Sequence, residues 1–396
     1  MIMQEVQHRA SKKPVEIKRI IDHLKGSTKG PTVVFFAGIH GNEPAGVHAL
    51  KTVFKELRSK NLVLSGELFA VAGNLGALEK QVRFQTVDLN RIWSPEGIKN
   101  ILDKKDTIKE EEEELKAIYE VLQHILESGT PPFYFMDLHT TSSDTTPFMV
   151  LNDSLLNRKY ASNYPLPIIL GIEEYLVGAL LSYINELGYV SLGFESGQHD
   201  NPQAVENCID FIQFTLQLTG AVNSPKFVGN EMTLMSRVDH RFYEIYHQHT
   251  IEPGDDFKML PGFINFQWVP KGKEIAVSNG LVIKTHKRRQ IFMPLYQNQG
   301  AEGFYFIRPI RKFWLGLSKE LRRFKVDHLL VTLPGVKWKS DKKDTMIVDQ
   351  RIARFLAKSI FHLLGYRARR FDETHFVVKS REIASRSWEY KNTDWF

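Results

Sequence analysis

Four short clusters of ionisable residues carry the chemistry in this 396-residue sequence, and each follows a stretch that reads as a β-strand. His40-Gly41-Asn42-Glu43 comes directly after the apolar run TVVFFAGI at 32–39. An imidazole and a carboxylate three positions apart, at a strand-to-helix turn, can reach one metal ion. Asp137-Leu138-His139 closes a second apolar run at 133–138. Two histidines and one glutamate form a zinc set of the catalytic kind, which keeps a fourth position for water. His40, Glu43 and His139 are therefore the candidate ligands of one Zn2+ per chain. Asp137 is a candidate for orienting a ligand histidine, against the competing reading of a solvated or capping aspartate.

The third cluster is Asp88-Leu89-Asn90-Arg91, with Arg83 just upstream. A developing oxyanion gains from a cation or donor beyond the metal. A guanidinium and an amide also suit a substrate carboxylate, which arginine grips with two parallel hydrogen bonds. The fourth is Phe194-Glu195-Ser196-Gly197. Hydrolysis needs a base that takes a proton from water and passes it to the leaving amine, and Glu195 at a strand end is the candidate. His199 in the following loop is a candidate for contact with substrate or leaving group. His240, His247 and His249 form a further group, read as a polar-faced strand in preference to a second metal site.

These residues need a frame that brings strand ends together. The strand at 32–39 is followed by a helix over Ala45–Ser59, a strand at 62–71, and a surface helix at 106–128 that opens on a glutamate run. Then come the strand at 133–138, a helix around 173–187, a strand at 189–194 and a helix at 202–218. Such alternation predicts an α/β fold, a mostly parallel sheet with helices on both faces. In an open sheet of that kind, ligands bind beyond the carboxyl ends of the strands. Near Asn223 the pattern changes to short segments punctuated by Pro-Gly, Lys-Gly and Asn-Gly turns, which predicts a small β-rich unit. Helical spacing returns after Ile310, most clearly over 348–364. The expected organisation is a catalytic domain at 1–225, a small β-rich domain at 226–310, and an α-containing basic extension at 311–396.

The single cysteine, Cys208, excludes a disulfide framework within the chain and a thiolate metal cluster. That suits a reducing cytoplasm. The opening residues carry no apolar core of a secretory signal, and the longest apolar stretch, 164–187, is broken by Glu173 and Glu174. No membrane association is expected. The net charge of +6 is uneven: residues 311–396 hold 20 Lys+Arg against 10 Asp+Glu, leaving 32 against 36 for the rest. A basic region of this kind can draw an anionic partner, but no nucleic-acid motif accompanies it.

The succession HGNE, DLNR, DLH and a strand ending on a glutamate-glycine turn resembles the succinylglutamate desuccinylase/aspartoacylase family, relatives of zinc carboxypeptidases, over roughly residues 31–310. The resemblance implies a carboxypeptidase-like α/β domain followed by a small β domain. It also implies zinc on His40, Glu43 and His139, with Glu195 as general base and acid. Arg83 would polarise the scissile carbonyl, Asn90 and Arg91 would hold a substrate carboxylate, and Tyr305 would contact substrate. Asn185 stands ten positions before Glu195, where aspartoacylases carry a substrate-binding arginine. The loop SGQHDNPQ also lacks their proline-glutamine run. N-acetylaspartate is thus left open as a substrate.

The expected function is zinc-dependent removal of an acyl group from an N-acyl amino acid or related small carboxylate. The alternatives are a zinc carboxypeptidase acting on peptides or cell-wall fragments, and a binding module recruited through its basic region. Self-association into a homo-oligomer stays open.

Overall fold

A computed structural model describes residues 17–60, 62–104, 108–223, 242–339, 341–349, 351–353, 358–370 and 374–396. The opening residues, and with them the signal-peptide question, lie outside this set, as does His240.

The chain opens with β1 (Ile20–Lys25), β2 (Thr28–Ala37), α1 (Ala45–Ser59), β3 (Ser65–Ala72) and α2 (Leu75–Lys80). Then follow α3 (Pro95–Asp103), α4 (Glu110–Ser128), β4 (Phe133–Thr141), β5 (Phe148–Leu151) and α5 (Leu155–Ala161). β6 (Ile168–Leu170), α6 (Leu180–Glu186), β7 (Val190–Gln198) and α7 (Gln203–Leu218) complete this half. In β2 every residue from Thr32 to Ala37 is fully buried, as a strand covered on both faces must be. Local chemistry sets the helix starts: Ser94 accepts from Gly97 N at 2.9 Å and is followed by Pro95, a favoured first-turn residue.

One large sheet organises the molecule, in the order β1-β3-β2-β4-β7-β5-β6-β8-β14-β13-β10. Its later members are β8 (Phe242–Thr250), β10 (Trp268–Val269), β13 (Arg289–Phe292) and β14 (Glu302–Pro309). The short strands β9 (Phe257–Met259), β11 (Glu274–Ser278) and β12 (Leu281–Lys284) make a separate three-stranded sheet. β3, β2, β4 and β7 are parallel. β5 enters antiparallel to β7, and the β8-β14-β13-β10 run is antiparallel. Helices α1, α5 and α7 cover one face and α3, α4 and α6 the other, each over its own apolar core. No helix among the described residues is long and apolar enough to cross a membrane.

Three sequence expectations need correction. The helix expected over 173–187 is a single tight turn at Ile172–Glu174 followed by α6. Between them Gly178 adopts φ +75°, its carbonyl accepts Trp93 N at 2.9 Å, and a Cβ there would stand 2.1 Å from Arg91 O. Close approach to the Arg91 backbone therefore breaks the helix. The glutamate run of α4 is not all surface. Glu111 is fully buried and accepts from Gln85 N, Thr86 N, Thr86 Oγ1 and Val87 N at 2.6–3.2 Å, fixing the loop that leads into Asp88. Finally, helical spacing over 348–364 begins as strand: Val348 pairs with Phe376, and helix is present at Lys358–Leu363.

Beyond Ile310 the chain forms α8 (Lys312–Arg323), β15 (Val336–Trp338), β16 (Thr345–Asp349), α9 (Lys358–Leu363), β17 (Tyr366–Arg370) and β18 (His375–Ser380). The strands form a four-stranded antiparallel sheet over a small core. Buried contacts knit this region to the rest of the fold. Arg322, its side chain fully buried, bonds Asp153 Oδ2 at 2.9 Å, Asp153 O at 2.8 Å and Glu382 at 3.0 Å. Under β4, Tyr390 Oη donates to Phe133 O at 2.5 Å and Trp395 Nε1 to Tyr134 Oη at 2.9 Å, with Tyr160 against the Trp395 ring.

Candidate active site

Strand register brings the predicted residues together. β2 ends at Ala37 beside Leu138 of β4, and His139 of β4 lies opposite Glu195 of β7. His40, Glu43, Arg83, Asn90, Arg91, His139, Glu195, His199 and Tyr305 all line one pocket, a cavity of about 130 Å³ at these strand ends.

His40, Glu43 and His139 are buried, and their ligand-capable atoms lie within 4.8 Å of one another. Glu43 sits between the imidazoles: Oε1 faces His40 Nδ1 at 2.9 Å, and Oε2 faces His139 Nδ1 at 2.9 Å and Thr140 N at 3.0 Å. The remaining ring nitrogens each meet a carboxylate, His40 Nε2 with Asp88 at 3.2 Å and His139 Nε2 with Asp137 at 2.7 Å. That arrangement directs both Nδ1 atoms and the carboxylate to one point. It is the outer support a metal-ligating histidine requires. The donor set of two imidazole nitrogens and one carboxylate fits a divalent ion of zinc type. Among the described residues no other trio of metal-capable side chains converges so closely. His249 instead stacks on Phe304, with centroids 5.0 Å apart.

Electrostatics follow from burial and pairing. Burial alone would raise the Glu43 carboxyl, but the two histidines overcome it and hold the group well below the usual carboxylate range. Asp88 is likewise driven down against its burial, by His40 and Arg83. His139 is pushed well above the ordinary histidine value by Asp137 and Glu43, although burial opposes this. A divalent cation at this point would meet a Glu43 carboxylate already favoured in its charged form. Glu195 behaves oppositely. Burial pushes its carboxyl up to about 8, and the charges of Glu43 and Asp137 add to the rise while His139 and Arg83 oppose it. Its Oε2 is buried and accepts no hydrogen bond from the described residues.

The cationic side of the pocket is already partly engaged. Arg83 bonds Asp88 at 3.2 Å and Glu43 at 3.5 Å. Arg91 gives Nε and one terminal nitrogen to Glu302, at 3.2 and 3.0 Å. Asn90 Oδ1 accepts from Leu180 N at 2.9 Å, leaving its amide nitrogen as a donor. His199 is held between Thr140 Oγ1 at 2.7 Å and Gln297 at 3.2 Å, and burial lowers its basicity. Tyr305 is buried, and its hydroxyl is pushed well above the ordinary value by burial and by Glu302. Sequence reasoning did not assign Asp88 its contact with His40, although the residue stood inside the DLNR motif. Glu302 carried no sequence signal: a glutamate at a strand start names no partner until β14 is placed beside the DLNR turn.

Comparison with known proteins places this architecture. Residues 29–206 match the family model for the succinylglutamate desuccinylase/aspartoacylase catalytic domain. Aspartoacylase of Xenopus tropicalis is 32% identical over 131 residues, covering 31% of this chain and 38% of that protein, so the match spans well under half of this relative. A probable aspartoacylase of Prochlorococcus marinus is 25% identical over 68% of this chain and 89% of its own length. Among solved structures, a succinylglutamate desuccinylase/aspartoacylase from Rhodobacter sphaeroides superposes with a TM-score of 0.54 at 18% identity, covering 74% of this chain and 88% of that one. The chain shares the mixed α/β architecture of that structure. Over residues 29–206 the chain is thus similar to the catalytic domain of the succinylglutamate desuccinylase/aspartoacylase family.

Proposed function

We propose that this protein is a zinc-dependent amidohydrolase that removes the acyl group from an N-acyl amino acid or a related small carboxylate. The observation carrying this reading is the convergence of His40, Glu43 and His139 in the pocket that also holds Glu195. His40, Glu43 and His139 would hold the zinc ion, which when bound would supply Lewis acidity toward the acyl carbonyl and water. Glu195 takes the proton of the attacking water and delivers it to the leaving nitrogen as the carbon–nitrogen bond breaks, releasing a free acid and an amine. Arg83 stabilises charge on the carbonyl oxygen. The Asn90 amide and Arg91 anchor the substrate carboxylate, with His199 and Tyr305 bordering the bound molecule. Asp88 and Asp137 keep the two imidazoles in the ligating tautomer. The single buried Cys208 supports a reducing, cytoplasmic setting.

The deciding experiment is a mass-spectrometric screen of the zinc-loaded protein against N-acyl amino acids and short peptides, together with metal content per chain. Deacylation of at least one N-acyl amino acid, abolished by chelator and restored by zinc, is the expected outcome. Turnover of peptides alone would replace this reading with a carboxypeptidase.

A further inference from the structure

Past Glu195 the pocket continues back along the sheet. β5 runs antiparallel to β7 with Phe148 opposite Glu195 and Val150 opposite Gly193, so each later residue of β5 lies about 3.3 Å farther from Glu195. Val150, Leu151 and Leu181 wall this reach. A Cβ on Gly193 would stand 2.7 Å from Val150 Cγ2 and 3.3 Å from Leu181 Cδ1, so the bare glycine lets these two walls pack directly against β7.

The passage leads to polar groups that the amidohydrolase chemistry does not use. Asn152, Ser182 and Glu173 line the pocket here. Ser182 Oγ donates to Asn152 Oδ1 at 3.1 Å, so these two satisfy one another. Glu173 differs. It is 1% exposed; Oε1 accepts from Asp153 N at 3.2 Å and pairs with Arg381 Nε at 2.8 Å, whereas Oε2 has no donor among the described residues. A buried carboxylate oxygen without a donor is costly to keep.

The residues that hold Glu173 in place come from the region after Ile310. Arg381 forms an ion pair with Glu173 and donates to Glu174, and Arg367 donates to the carbonyls of Glu173 and of Leu176, the latter at 3.2 Å. Charge is balanced around this point. The carboxylates Asp153, Glu173, Glu174 and Glu382 are interleaved with the guanidiniums Arg158, Arg322, Arg367 and Arg381. A ligand cation would find no net negative charge to neutralise, but a neutral donor would satisfy Oε2.

We propose that this inner compartment is a second binding subsite, with Glu173 Oε2 as its acceptor, for an apolar stretch of substrate tipped by a neutral hydrogen-bond donor such as a hydroxyl. Arg381 and Arg367 are positioning residues, so the region after Ile310 sets the selectivity of the pocket. The assignment of this compartment to substrate rests on the amidohydrolase reading; its preference for a donor does not.

The test uses the full-length protein and two isomers, 1-pentanol and 1-methoxybutane, titrated by NMR. They match in size, and only the alcohol donates. Hydrogen bonds to charged groups are strong enough that the alcohol should bind about tenfold tighter. Glu173→Gln should cut that ratio to about twofold. Arg381→Ala should lower it as well, with Arg381→Lys restoring part of the preference. Equal binding of the isomers to the parent protein overturns the proposal, as does an unchanged ratio in Glu173→Gln. If the preference holds while no N-acyl substrate is turned over, the subsite stands and the amidohydrolase reading falls. The reverse pattern, deacylation without isomer preference, removes the subsite alone.

Discussion

Replacing Glu195 by glutamine separates chemistry from metal binding and from folding. The amide matches the carboxyl in volume at a position only 6% exposed, so no cavity or clash accompanies the change. The carboxylate already bears a desolvation penalty, visible in a carboxyl pushed up to about 8, and a neutral amide escapes it. Folding stability should therefore stay within about 1 kcal/mol of the parent. Glu195 is outside the His40–Glu43–His139 trio, so zinc content should remain one per chain. What disappears is the carboxylate opposite His139, and with it the proton shuttle. General-base catalysis is worth roughly 10²–10⁴ in rate, which is about 3–5 kcal/mol of barrier. The assay is kcat on a substrate found by the acyl screen, beside metal analysis and a urea unfolding curve. Turnover within about threefold of the parent, with zinc and stability intact, would refute the assignment. Loss of zinc would instead place Glu195 among the ligands.

Asp88→Asn should weaken zinc binding by about 10–100-fold, measured by chelator competition, because Asp88 supports His40 Nε2 at 3.2 Å. Arg322→Ala removes the partner shared by buried Asp153 and partly buried Glu382, Asp153 keeping Arg158 and Arg381, and should cost about 1–3 kcal/mol, read as a lower urea midpoint. Asp153 is held far below the ordinary carboxyl value by Arg158, Arg322 and Arg381, against its burial. Its native pKa is thus depressed, and its contribution to stability is present above the unfolded-state value of about 3.9 and is lost as pH falls below it. An Asp153→Asn variant should show a flatter stability profile between about pH 5 and 2.

Much of this architecture was legible where local pattern and tertiary need agree. Helix α1 occupies the residues expected, Ala45–Ser59, because its apolar spacing is also the face it buries. The convergence of His40, Glu43 and His139 could be read because strand ends in an α/β sheet lie together by geometry. β5 and β6 were not anticipated; at four and three residues they are too short for any periodicity, and only pairing with β7 and β8 makes them strands. Residues 348–364 show the opposite failure. Val348 has helical neighbours in sequence, but its β-branched side chain is claimed by β18. The roles of Glu111, Glu302 and Glu173 were hidden for one reason: each acts through a partner distant in the chain, and a single glutamate looks the same on a surface or in a buried network.

The contacts beneath β4 also bear on how the protein is made. Tyr134 and its partner Trp395 are 261 residues apart in sequence. At a synthesis rate of about 5–20 residues per second, the ribosome needs roughly 10–50 s to deliver the second ring after the first. During that interval the centre of the catalytic sheet stands without its floor, its aromatic side chains open to other nascent chains. Such late closure predicts slow, high-contact-order folding and a need for chaperone protection while the chain is still being translated.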